Sequence, residues 1–271
     1  MTAANIRLPI PLVQALLVVS VLAAWEFVPQ IEWMSAFSPV FDPFFVSSPS
    51  RIAQTLALLL SGERETPLLW SFAFPTLLAA LIGTALGMTT GAAMGLLLSN
   101  VEWLSVALRP FIIAVNAAPR IALIPILVII LGPTLGAAVM TAVLVVFFIV
   151  FFNAYEGGTS VPLHVLHNAQ LLGASRWNLM RHVRLPYVLV WTLASLPNAL
   201  SFGLVSVVTA EIFTGTLGFG RVLMVAMNSV NSSLTFAVVF VLSIMGVLLV
   251  VGAEVLKRRW LHWWVQGRAG G

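Results

Sequence analysis

Four histidines are the residues best suited to metal or acid–base chemistry in this cysteine-free chain. His164 and His167 stand three apart, which sets both on one side of a helix, and His182 is near in sequence. A metal centre needs more ligands, and no carboxylate or cysteine accompanies them between residues 161 and 186. A serine nucleophile working inside a membrane would need a histidine beside it, and all four histidines lie outside the apolar runs. No Gly-x-x-x-x-Gly-Lys-Ser/Thr segment is present to cradle a phosphate. These residues predict no catalytic group, no metal site and no cofactor held by the chain itself.

A second set of polar residues stands within otherwise apolar runs. Asn116 and Arg120 are one helical turn apart; Asn198, Ser201 and Thr209 form a stripe with Val205; Glu211 follows near the outer end. Polar groups facing lipid are costly, so each is a candidate for lining a route through the membrane. The plainer alternatives are hydroxyls bonded to their own helix carbonyls, and an interfacial or ion-paired place for Arg120 and Glu211.

The elements that must position these residues follow from composition. Hydrophobic residues make up 60% of the 271 and charged ones 8%, against about 25% charged in an average soluble domain. Mean hydropathy is +1.05, and several apolar runs reach the roughly 20 residues needed to cross a bilayer as a helix. The runs are apolar all round rather than alternating, which argues against a barrel. An all-α polytopic membrane protein is expected. Six spans are expected: 11–28, 72–98, 106–131, 135–153, 189–210 and 234–255. The first reads as an uncleaved anchor, since Ala23-Ala24-Trp25-Glu26 is a poor cleavage site.

With the N-terminus inside, Arg7, Arg109, Arg176, Arg181, Arg184, Lys257, Arg258, Arg259 and Arg268 all become cytoplasmic. Arg51, Arg64 and Arg221 alone fall outside, the bias that sets topology. Both termini are therefore expected in the cytoplasm, with Trp260, Trp263 and Trp264 as an aromatic anchor. The basic residues flank spans, so lipid and a cytoplasmic partner explain them better than nucleic acid does. One membrane domain over 1–271 is expected, with a core at about 70–256, an external loop at 29–70 and a cytoplasmic loop at 161–186. In the external loop Ser48-Pro49-Ser50-Arg51 should open, at a serine cap, a short amphipathic helix carrying Ile52, Leu56 and Leu59 or Leu60, lying on the membrane face. Gly83, Gly87, Gly91 and Gly95 recur every four positions, the spacing of a close-packing seam, read as packing within the subunit.

The cytoplasmic loop reads as two short helices and a turn. Pro162 suits a first turn, Gly173 a left-handed C-cap, and Ser175 an N-cap for a second helix that stops before Pro186. Leu166, Ala169, Leu172 and Gly173 share a face of the first helix, beside Arg176, Arg181 and Arg184. Such a pair suits docking into a groove on another protein; an amphipathic segment on the inner leaflet is the plainer reading.

This stretch resembles the EAA loop of the permeases of binding-protein-dependent ABC importers. That motif runs Glu-Ala-Ala, three residues, Gly, nine residues, Ile, one residue, Leu-Pro. Gly173 falls at its glycine, Val183 at its isoleucine and Leu185-Pro186 at its end. The triplet falls on His167-Asn168-Ala169, keeping the last alanine. Leu172-Gly173-Ala174-Ser175-Arg176 is similar to the family's Leu-Gly-Ala-Ser-Arg run. Ser48 to Ile52, Ala118 to Pro125, Ala210 to Phe213 and Gly218-Phe219-Gly220 resemble the nitrate, sulfonate and taurine branch.

The resemblance implies a type I permease fold, with residues 167–169, 172–176 and 185–186 coupling the chain to ABC ATPase subunits. It further implies a second permease subunit, read as another copy of this chain, and an external or periplasmic solute-binding protein. ATP and Mg would be used by the ATPase, in the bacterial inner membrane. The competing reading is an ATP-independent carrier or channel. Paired broken helices or intramembrane carboxylates would mark one, and the sequence offers little of either.

Overall fold

Helix is the sole regular structure among the described residues, which in this computed structural model are 9–31, 42–61, 69–117 and 120–260. Apolar runs of this length meet their backbone hydrogen-bonding needs internally only as helices or closed barrels. Among the described residues, five helical stretches are long and apolar enough to span a bilayer: Ile10–Gln30, Leu69–Asn100, Leu135–Thr159, Leu196–Thr214 and Ser232–Trp260. The chain divides into two compact units, residues 1–69 with 222–241, and residues 70–221 with 242–271.

The first unit contains α1 (Ile10–Phe27), α2 (Pro43–Val46) and α3 (Pro49–Ser61), with the start of the last helix. The Ser50 N–H and hydroxyl donate to the Glu26 carboxylate at 3.0 and 2.8 Å, so α1 supplies an anion to the first turn of α3. Ser48 Oγ also accepts from the Arg51 N–H at 3.4 Å, as its capping role predicts. Helix α3 does not lie free on a membrane face, as expected from its pattern. Ile52 and Leu59 are buried with Ala237, against Trp25, Leu56 and Phe236. The apolar stripe of α3 is met by protein, because α1 and residues 234–237 offer matching apolar side chains.

The second unit contains α4 (Leu69–Asn100), α5 (Glu102–Ala117), α6 (Ile124–Leu131), α7 (Leu135–Thr159), α8 (Leu163–Leu171) and α9 (Arg176–Leu179). After α9 come α10 (Leu185–Ala194) and α11 (Leu196–Thr214); α12 (Phe219–Asn228) and α13 (Ser232–Trp260) each contribute to both units. The glycine seam of α4 packs on α7. A Cβ at Gly83 would lie 2.5 Å from that of Ala142, one at Gly91 2.7 Å from the Phe147 carbonyl oxygen, and one at Gly95 2.6 Å from Ala154 Cβ. Only glycine permits backbones to approach so far. Helix α7 also packs on α11, with Val146, Val150 and Ala199 forming one buried cluster that Met88 and Ala92 of α4 cover.

Two expected spans are interrupted. Residues 106–131 fall in α5, a 3-10 turn Arg120–Leu123 and α6, with 118 and 119 outside the described residues. Pro125 stands in the first turn of α6, where its missing N–H costs nothing, and Gly132 at φ 72° ends that helix. Residues 189–210 are divided at Ser195, because Pro197 in the first turn of α11 cannot continue the ladder of α10. The expected residues Arg7, Trp263, Trp264 and Arg268 lie outside the described residues.

Candidate functional site

The 161–186 segment is a helical hairpin built by local signals. Helix α8 follows Pro162 and ends at Leu172, whose N–H donates to the Asn168 carbonyl at 3.1 Å. Gly173 then takes φ 82°, and the Ala174 N–H returns to the Ala169 carbonyl at 3.0 Å. These bonds meet carbonyls that a helix end leaves open, and the left-handed turn explains the glycine. Ser175 Oγ accepts from the Asn178 N–H at 3.2 Å, capping α9.

Past α9 the chain departs from expectation. The second helix does not stop before Pro186; it runs through a π turn at Met180–Arg184 into α10. The Leu185 N–H reaches back five residues to the Met180 carbonyl. A proline ring clashes with the carbonyl four residues before it, and widening the turn by one residue relieves that clash. Leu185-Pro186 is thus the opening of α10 rather than the end of a loop helix.

The outer face of the hairpin is apolar and uncovered. Helix α8 buries no residue. Leu163 is 70% exposed, Leu171 86%, Leu172 88% and Trp177 62%. His167, Asn168, Gly173, Ser175 and Arg176 are exposed, while Ala169, Ala174, Leu185 and Pro186 are half-buried. Inward, Leu179 and Val188 are buried, so the segment beyond α9 is firmly packed.

Arg184 was expected beside the docking face, and it turns inward instead. Its Nη1 donates to the Ser99 carbonyl and, at 3.3 Å, to Asn100 Oδ1. Both acceptors lie at the C-terminal end of α4, where open carbonyls and the helix dipole favour a cation. Ser99 is buried, and Gly158 of α7 fits against it closely enough that a Cβ there would collide with the Ser99 hydroxyl.

The polar candidates in the spans separate into three groups. Asn116 lies in α5 and Arg120 opens the 3-10 turn, on either side of residues 118–119; their side chains lie outside what is described. Asn198, Ser201, Val205 and Thr209 share the face of α11 turned away from α7, with Val205 58% and Phe202 54% exposed. Ser201 donates to the Pro197 carbonyl at 3.1 Å and Thr209 to that of Val205 at 2.7 Å. The two hydroxyls are therefore satisfied without a partner across the face.

Glu211 is elsewhere. Its side chain is fully buried and accepts from Thr76 Oγ1 at 2.8 Å and the Gly220 N–H at 2.8 Å. Thr76 in turn accepts from the Phe219 N–H at 3.0 Å. Gly218 and Gly220 are packed so tightly against Glu211 that a Cβ at either would overlap it or its helix. This carboxylate holds the 218–220 turn to α4 and does not line the exposed face of α11. Thr76 was missed from sequence because nothing local marks it.

Residues 83–262, which hold the seam, the hairpin and α11, match the family model for binding-protein-dependent transport system inner membrane components. The chain belongs to that family. Among curated relatives, this permease subunit is 28% identical over 223 residues to the riboflavin transport system permease protein of Chloroflexus aurantiacus, covering 82% of each chain. It is 28% identical over 237 residues to the taurine transport system permease protein of Escherichia coli, covering 85% of this chain and 84% of that one. The putative aliphatic sulfonates transport permease protein of the same organism is 25% identical over 246 residues, with 90% and 89% covered.

In fold, the permease is similar to a chain of the MetNI methionine ABC transporter in its inward facing conformations. The TM-score is 0.59 at 19% identity, covering 72% of this chain and 99% of that one. The fold is that of a type I ABC importer permease, and the protein is a multi-pass component of the inner membrane, of the branch that includes taurine and sulfonate permeases. Its relatives are permease subunits of ABC importers rather than ATPases.

Proposed function

We propose that the hairpin 163–179 docks into a groove on a separate ABC ATPase and that the exposed face of α11 borders the solute route. The observation that carries this is the uncovered apolar surface of Leu163, Leu171, Leu172 and Trp177 on an otherwise capped and hydrogen-bonded hairpin. Burying one leucine of this kind is worth about 1.5–3 kcal/mol, so covering this face favours a partner over water. His167, Asn168, Ala169, Gly173, Ala174, Ser175 and Arg176 complete the docking surface; Leu185 and Pro186 set how it joins the membrane.

The spanning helices of one subunit scarcely enclose a hydrophilic path, so two copies of this chain form it between them. Asn198, Ser201 and Thr209 are the described lining candidates, and Asn116 and Arg120 are further candidates from the sequence. The ATPase binds ATP and Mg and closes; its docked hairpins then move the dimer between inward-open and outward-open states. The excess of Lys and Arg at the chain ends and in the 161–186 segment supports cytoplasmic termini. A solute-binding protein delivers the cargo from outside. The relatives are named for riboflavin, taurine and aliphatic sulfonates, which supports a small polar metabolite or anion as cargo.

The test is Leu172→Glu, which places a charge at a side chain 88% exposed and therefore spares the fold. The variant should express and melt as the parent does but fail to co-purify with the ATPase. Undiminished co-purification and ATP-driven uptake would exclude docking through this face.

A further inference from the structure

Three carbonyls at the C-terminal end of α4 have partners from outside the helical ladder or from its last side chains. The Leu96 carbonyl accepts from the Ser99 hydroxyl at 2.9 Å and from Asn100 Nδ2 at 2.6 Å, and that of Leu98 from the Val101 N–H at 3.3 Å. The Ser99 carbonyl is met by Arg184, from a segment 85 residues away in sequence. The same guanidinium reaches Asn100 Oδ1, so one side chain grips both last residues of α4. Both bonds leave the same nitrogen, Nη1, so the grip is made by one terminal amino group of the guanidinium.

The grip falls where three elements converge. Ser99 of α4 lies against Gly158 of α7, and Val188 of α10 stands 3.2 Å from where a Gly158 Cβ would be. Arg184 itself sits in the last position of the π turn, five residues beyond Leu179 and directly before α10. On its C-terminal side the hairpin joins α10 through Arg184, and on its N-terminal side it joins α7 through residues 160–162. Packing alone would transmit a displacement of the hairpin to α10; the guanidinium extends it to α4, which carries the seam with α7.

We propose that Arg184 is a positioning residue of the transport cycle, clamping the end of α4 so that this helix moves together with the docking hairpin. The inference rests on the docking reading above, and the test separates the two. The chain contains no cysteine, so single introduced cysteines report cleanly. Gln170→Cys on the hairpin and Leu97→Cys on α4, both exposed, each carry a bimane fluorophore in the complex with the co-purifying ATPase. The probe of the cycle is MgATP with vanadate, which needs no knowledge of the cargo.

In the parent, both labels respond to trapping. In Arg184→Gln the hairpin label should respond as before, while the α4 response falls about fivefold or more, the low end of ordinary coupling between sites. Arg184→Lys, which keeps the charge and one donor to Ser99, should restore part of the α4 response. A merely structural role would lower the melting temperature and scale both labels alike. An α4 response in Arg184→Gln equal to the parent's overturns the clamp, as does equal loss at both labels. If Arg184→Gln does not assemble, Arg184→Lys is read alone: an α4 response below the parent's with an unchanged hairpin response supports the clamp, and one equal to the parent's overturns it. A hairpin label silent in the parent itself overturns the docking reading, and the clamp with it.

Discussion

Gly87 and Val146 approach so closely that a Cβ on the glycine would stand 2.8 Å from the Cβ of the valine. A backbone atom is nearly as close, with the Val143 carbonyl oxygen 2.9 Å from the same point. Backbone cannot yield as a flexible side chain does, so a larger residue must push α4 from α7. Gly87→Leu is expected to destabilise the protein by at least the 1–3 kcal/mol typical of overpacking. Gly252 has open space around it, and Gly252→Ala should leave the melting temperature of the detergent-purified protein unchanged. Equal melting of the Gly87→Leu protein and its parent would refute the seam.

Thr76 serves the 218–220 turn from both ends of its hydroxyl. It donates to Glu211 and accepts from the Phe219 N–H. Thr76→Val keeps the shape and leaves both partners buried without it, a loss of about 1–3 kcal/mol. Thr76→Ser should recover most of this. Chemical unfolding of the purified variants reads the difference, and uptake should fall only as far as the folded fraction does. A valine variant with parental stability and selectively altered cargo affinity would return Glu211 to the pathway.

Gly173 tests the hairpin turn. At φ 82° its Cβ would have open space but the backbone would be strained. Left-handed geometry costs an L-residue roughly 1–2 kcal/mol, least for asparagine. Gly173→Val should therefore reduce both uptake and cargo-stimulated ATP turnover, whereas Gly173→Asn should retain most of each. Since nothing packs on the site, a crowding explanation is closed, and equal behaviour of the two variants would show that the turn conformation is not what matters.

How much of this was legible follows from the range of each signal. The seam was readable because its four glycines repeat at helical spacing within one element. Gly173 and Ser175 were readable because caps are local chemistry. The roles of Arg184 and Glu211 were not, since their partners lie 85 and 135 residues away. Pro186 misled for a different reason: a proline marks a helix end and a helix beginning with equal force. The apolar stripe of α3 likewise fits a membrane face or a protein neighbour, and only the packing of Trp25, Phe236 and Ala237 decides between them.

That ambiguity at Pro186 leads to the last prediction. The π turn at Met180–Arg184 holds one residue more than an α-turn, and the proline supplies the reason for it. Without the ring, the Leu185 N–H can exchange its bond to Met180 for one to Arg181, and residue 186 gains a donor. Closing the turn would rotate the hairpin by about 100° relative to α10, the angle of one helical residue. Leu179 and Val188 are buried on the two sides of the turn and resist that rotation. Pro186→Ala should thus keep its helices and its ATPase, yet exchange amide hydrogens more slowly over 181–186 and lose part of its coupling between ATP turnover and uptake. An exchange pattern and a coupling ratio both equal to the parent's would mean that the π turn is held by packing alone.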